Sequence, residues 1–180
     1  AWGVPDILPQ FSYRKHVLVI MALSVLTYFS AATSVQISYW RNSFTLYTHA
    51  LAVTKDNPAI HHFMGNLYLK QGIFEKAVDQ YRQELRIKPN SIDGRRNLGV
   101  ALSNLDRQDE AIEQFNIVLR NDPYNMNTCI ALANALMRKG KYEEGIYQYR
   151  YVIQNRPDEP GGYYNLAYAF SLKGNVDDAV

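Results

Sequence analysis

"MGNLYLKQGIFEKA", residues Met64 to Ala77, decides how this chain folds. It sets Gly65, Tyr68, Gly72, Phe74 and Ala77 at intervals that return further on. Residues 58–91 align with 92–125, 126–159 and 160–180, so each full unit is 34 residues long. That is the period of a helix–turn–helix solenoid.

Each recurring place has a physical reason. The seventh and eighth places hold Met64-Gly65, Leu98-Gly99, Leu132-Ala133 and Leu166-Ala167. The eleventh holds Tyr68, Leu102, Leu136 and Phe170, the twentieth Ala77, Ala111, Gly145 and Ala179, and the twenty-fourth Tyr81, Phe115 and Tyr149. Small residues at eight and twenty let two helices approach. Large residues at seven, eleven and twenty-four fill the space between them, on one face by their three- and four-residue spacing. Gly72, Gly140 and Gly174 fall between the helices, where a left-handed cap suits glycine. Pro89, Pro123 and Pro157 close the second helix of each unit.

These residues resemble the tetratricopeptide repeat family over residues 58–180. The resemblance implies an all-α fold, a right-handed superhelix of antiparallel helix pairs with three full repeats and a truncated fourth. Departures stand at place four (His61, Arg95 and Cys129 where an aromatic is common), at Glu84 in place of a small residue, and at Asp106 in place of an inter-helix glycine. They are expected to weaken single contacts. In the same register Ser43, Tyr47 and Ala50 match a second helix, so residues 41–57 are expected to form a degenerate capping half-repeat.

No Asp or Glu occurs between Asp6 and Asp56, although the formal net charge of the whole chain is only +2. That balance, with no Lys/Arg-rich run, excludes a strongly basic nucleic-acid binder. The single cysteine, Cys129, excludes an internal disulfide framework. Residues 17–40 carry no charged side chain, with Arg14 and Lys15 before them and Arg41 after. The reading is a short extramembrane segment at 1–15 and a transmembrane helix at 16–40, with Tyr39 and Trp40 at the interface. A signal peptide or a buried core helix would share the same composition. The chain begins without Met and stops inside the repeat pattern, as a piece of a longer protein would.

"AWGVPDILP", then a basic turn, the apolar stretch and "YWRNSFTLYTHALAVTKDNPAIHHFMGNLY" resemble the junction of polytopic membrane glycosyltransferase-like proteins that end in tetratricopeptide repeats. The transmembrane and tetratricopeptide-repeat O-mannosyltransferase-like family has this layout. The resemblance implies that the apolar helix is the last membrane span and that the repeats face away from the cytoplasm. It transfers no catalytic residue, because such acids would lie in earlier membrane loops.

The remaining chemistry is sparse. His61 and His62 point about 100° apart on a helix and do not make a metal pair. Cys129 sits at a packing place, and Glu143-Glu144 and Asp177-Asp178 suit the positive ends of second helices. There is no phosphate loop or nucleophile motif, so no cofactor or metal is expected. What remains is a surface. In the family that the chain resembles, first helices line a concave face, and here those places hold His62, Asn66, Lys70, Arg96, Asn97, Ile130, Asn134, Arg138, Tyr164, Asn165 and Tyr168. Asparagine both donates and accepts. A row of them suits an extended peptide backbone, similar to the asparagine ladder of O-linked N-acetylglucosamine transferase; bonds to neighbouring loops or to water are the alternative. The expected function is a membrane-anchored scaffold for protein–protein interaction or assembly. The alternatives are the non-catalytic end of a membrane glycosyltransferase and a structural subunit of a larger membrane complex.

Overall fold

The computed structural model describes residues 8–39, 42–54, 56–158 and 160–174. Trp40, Arg41, Lys55, Asp177, Asp178 and Ala179, to which the sequence assigns places or charges, lie outside the described residues. The described residues are all-α, and they divide into two units, residues 1–50 and 51–180.

In the first unit, α1 (Leu8–Tyr39) runs for 32 residues, on the order of 48 Å at 1.5 Å per residue. Its segment His16–Val35 is long and apolar enough to cross a membrane, and none of that segment is buried. Ser24, Thr27 and Ser38 donate their hydroxyls to carbonyls three residues back, at 2.6–2.9 Å. The helix therefore satisfies these polar side chains itself. α2 (Ser43–Val53) starts at Asn42, whose side chain accepts from the Thr45 N–H at 2.9 Å.

The second unit is a row of helix pairs: α3 (Pro58–Lys70) with α4 (Phe74–Ile87), α5 (Ile92–Asn104) with α6 (Gln108–Asn121), α7 (Met126–Arg138) with α8 (Tyr142–Asn155), then α9 (Pro160–Lys173). The two kinds of helix start differently. The first helices of the three full pairs are capped by side chains: Asn57 for α3, Ser91 for α5 and Asn125 for α7. The second helices have no such cap and carry acids in the first turn instead, Glu75, Asp109-Glu110 and Glu143-Glu144. Those charges oppose the positive helix end. The turn between the helices of a pair needs a left-handed residue. Gly72 and Gly140 supply it at φ of 74° and 77°, and Asp106 takes the same conformation at 60°. Asp tolerates that region better than most side chains, which is how the pair α5 and α6 keeps its turn without glycine.

The pairs are held by a glycine set against a ring. A Cβ on Gly65 would lie 2.6 Å from the Tyr81 ring, and one on Gly99 would lie 2.5 Å from the Phe115 ring. Both rings are buried to within 1% of full coverage. The tyrosine hydroxyls then need partners, and place nine supplies them. Tyr81 donates to Asn66 Oδ1 at 2.7 Å, and Tyr149 donates to Asn134 Oδ1 at 2.5 Å. In the pair α5 and α6 the ring is Phe115, which has no hydroxyl, and place nine is Val100.

Three departures from the repeat pattern, His61, Arg95 and Glu84, have side-chain partners. His61 Nδ1 lies 2.9 Å from Gln80 Oε1, and Arg95 bonds Gln114 at 3.1 Å; both glutamines stand at place twenty-three. Cys129 is buried, and burial pushes its thiol pKa up. Glu84 is 3% exposed, yet both of its oxygens are engaged, one by the Ser91 hydroxyl at 2.5 Å and the other by His62 Nδ1 at 2.9 Å. Gly94 makes the room, since a Cβ there would meet that carboxylate at 2.5 Å. Successive pairs are also pinned at their edge by Lys139–Asp109 and Lys173–Glu143. Each joins the end of a first helix to the start of the preceding second helix.

Two outcomes follow from the packed rings. Gly99→Ala should cost about 1–3 kcal/mol by overpacking the Phe115 ring, and Gly99→Leu more. Combining Gly99→Ala with Phe115→Leu should recover part of the loss in urea unfolding; no coupling would mean that the ring does not limit the approach. Burial pushes the Tyr149 hydroxyl pKa up to about 12, above the usual tyrosine range. A group that holds its proton more tightly when folded adds stability that is complete below its unfolded pKa and is lost as pH rises through the folded one. Unfolding free energy should therefore fall between pH 10 and about 12, and fall less steeply in Tyr149→Phe. Equal slopes would contradict the burial.

Candidate functional site: the face lined by first helices

The eleven surface residues singled out in the sequence fall into two groups. The first, Lys70 excepted, is bonded within the array or packed on its core. His62 holds Glu84, and Asn66 Oδ1 accepts both from Tyr81 and from Asn97 Nδ2 at 3.0 Å. Arg96 pairs with Asp93 at 2.9 Å and reaches Asn97 Oδ1 at 3.5 Å. Lys70 is exposed, and Ile130 packs against the core around Met126, Cys129 and Val152. Asn66 and Asn97 thus bond each other, and Asn66 also takes the hydroxyl of a buried tyrosine.

The second group lines an open groove of about 520 Å3 built by α5, α7 and α9. Asn134, Arg138, Tyr164, Asn165 and Tyr168 all reach it, together with Val100, Ser103, Asn104, Ala131, Met137 and Leu172. Phe115 and Tyr149 reach it from the second helices behind. Arg138 donates to the Ser103 carbonyl at 3.0 Å, tying α7 to α5 across the groove. Tyr164 and Tyr168 stand one turn apart, 73% and 58% exposed. Among the described residues no carboxylate lines the groove. Asn104 and Leu172 were missed in the sequence, although they stand at place thirteen with Lys70 and Arg138; the register alone would have found them.

A second hollow of about 370 Å3 opens between α6, α7 and α8, with Ile112, Leu132 and Leu136 below and Glu143, Glu144 and Tyr147 around it. Tyr147 is exposed, whereas Tyr151 is half-buried with its hydroxyl 3.4 Å from the Pro123 carbonyl. Among the described residues no three His, Cys, Asp or Glu side chains group as metal ligands would.

Comparison with known proteins agrees with the geometry. The family described as TPR repeat matches residues 65–106 and 133–174. The human protein O-mannosyl-transferase TMTC3 is 26% identical over 110 residues, which are 61% of this chain and 12% of that protein. The photosystem I assembly protein Ycf3 of Acaryochloris marina is 37% identical over 67 residues, 36% of this chain and 40% of that protein. This chain therefore spans a small part of the length of such relatives. Among solved structures, MamA from Desulfovibrio magneticus RS-1 superposes with a TM-score of 0.71 at 17% identity, covering 87% of this chain and 88% of that one. Another MamA crystal structure gives 0.67 at 20% identity, covering 74% and 78%. At those identities the likeness speaks for the fold. With helix pairs beginning at Pro58, Ile92 and Met126 and the matched stretches lying within them and α9, the helical array of this chain is built of tetratricopeptide repeats.

Proposed function

We propose that this chain is a membrane-anchored scaffold, held by the helix at His16–Val35 and capturing an extended protein segment on the face lined by its first helices. The observation that carries this is the groove of α5, α7 and α9, open to solvent and walled by tyrosine, asparagine and arginine, in an array without clustered metal ligands among its described residues. The anchor rests on composition. Ionised groups near a bilayer centre cost several kcal/mol, and His16–Val35 contains no Asp, Glu, Lys or Arg. We place residues 41–57 as the half-repeat at the start of the array, and the array on the side of the membrane away from the cytoplasm. A second reading is favoured by the match to the human O-mannosyl-transferase: the chain as the repeat-bearing, non-catalytic end of a membrane glycosyltransferase. Further membrane spans encoded upstream would favour it, and a start codon directly upstream would favour the single-span scaffold.

The anchor predicts that the full chain stays with membranes through a carbonate wash and that deletion of residues 1–40 releases it. Full-length protein in the soluble fraction without detergent would sink that half of the proposal. In sealed vesicles the array should resist added protease if it faces the lumen.

The groove predicts that Asn134→Ala with Asn165→Ala weakens a peptide selected on the wild-type chain from a random display library by about ten-fold or more, since each lost hydrogen bond costs roughly 0.5–1.5 kcal/mol. Because Asn134 also serves the Tyr149 hydroxyl, the same pair is repeated in a Tyr149→Phe background, which removes that buried donor. The paired control is Tyr147→Ala with Tyr151→Ala. Binding lost in the control and kept in the asparagine pair would move the site to the opposite face and favour a structural subunit.

A further inference from the structure

We infer that the hollow between α6, α7 and α8 receives an arginine side chain presented by a partner protein, a second site apart from the groove of the first helices. The ground is a position that the other pairs fill for themselves. Place twenty-five of the second helix is Arg82 in α4 and Arg150 in α8, but Asn116 in α6. Arg150 lies over the ring of Phe170, 5.4 Å from its centre, and Phe170 is place eleven of the following first helix. Arg82 reaches forward to Glu110, 3.6 Å away, at place nineteen of the following second helix. Between them the two arginines cover an apolar place eleven and an acidic place nineteen of the next unit.

At the middle junction the same two places are Leu136 and Glu144, and both line the hollow of about 370 Å3. Asn116 stands at its rim with a side chain shorter than arginine, while Ile112 and Leu132 widen the apolar floor. The charge count shows the same deficit. Glu110 is met by two arginines, Arg107 through both carboxylate oxygens at 2.6 Å and Arg82 through one. Glu144 is met, among the described residues, by Lys141 at Oε1, which leaves Oε2 to accept. Its neighbour Glu143 is taken by Lys173. Tyr147, 67% exposed, adds an aromatic face. An arginine stem covers apolar floor while its planar head serves carboxylate and ring together. A lysine head is a compact, strongly hydrated charge with no planar fork to share between them. An apolar side chain would fit the floor but would leave a Glu144 oxygen covered and unpaired.

The test uses the full chain in detergent micelles and a fluorescein-labelled decapeptide of alternating glycine and arginine, read by anisotropy, with the lysine-for-arginine peptide beside it. Saturable binding of the arginine peptide is expected, about five-fold tighter than that of the lysine peptide. Asn116→Arg should weaken it about ten-fold, because the array then fills the hollow itself, and Glu144→Gln should weaken it by a similar factor. Asn90→Arg adds the same charge in the exposed turn between α4 and α5 and should leave binding as it is. Asn116 and Glu144 are both exposed, and unchanged helical circular dichroism confirms that the variants fold. No saturable binding, or equal binding of the lysine peptide, overturns the inference. A loss in Asn90→Arg that matches the loss in Asn116→Arg overturns it too, since overall charge would then explain both. Dimerisation of the chain without peptide, abolished by Asn116→Arg, would give the hollow to a second copy and overturn the assignment to a partner.

Discussion

The contact of a bare glycine with the face of a buried ring sets the geometry of the array. At Gly65 against Tyr81 and Gly99 against Phe115 there is no space for a methyl group. The distance between the two helices of a pair is therefore fixed by what the first helix lacks. Interiors are packed to crystal-like density, so that distance passes to the next pair through Leu102, Leu136, Ala77 and Ala111. In the third pair the small residue is Ala133, and the closest approach moves to Gly145, where a Cβ would meet Met137 Sδ at 2.7 Å. The same closeness is reached from the other helix.

Core and surface are joined through the tyrosines. A buried ring brings a hydroxyl that must be satisfied, and the residue that satisfies it stands on the face open to solvent. Asn66 and Asn134 each give one lone pair inward to a tyrosine. Their outward chemistry is what remains. An amide with its oxygen engaged presents mainly N–H, so the polarity of the face follows from the identity of a core ring one helix away. Where the ring is Phe115, place nine carries Val100 instead of an amide.

The repeat was legible because its cause is periodic. Places seven, eight, eleven, twenty and twenty-four repeat in type, and helix starts at Pro58, Ile92, Met126 and Pro160 keep the 34-residue step. What was not legible was the pairing between departures. His61 with Gln80, Arg95 with Gln114 and Glu84 with Ser91 and Gly94 are each a mismatch to the pattern when read alone. They make sense only across nineteen residues or across a helix boundary. The surface was half legible. Register placed Asn134, Arg138, Tyr164, Asn165 and Tyr168 on one face, and they share one groove. Register could not reveal that His62 and Asn66 are engaged by the array itself, because that depends on the second helix.

The buried carboxylate of Glu84 fits only one neighbour. Its oxygens take the Ser91 hydroxyl and His62, and its volume occupies the space left by Gly94. At the next junction the equivalent places hold Val118 and Thr128, both buried and without a charge. The units are thus built alike but are not interchangeable. A recombined gene that joined the first unit directly to the third would set Glu84 against a threonine side chain where a glycine had been. Duplication could have produced this array, but once Glu84 and Gly94 were both in place, the order of its units became heritable as a single lock.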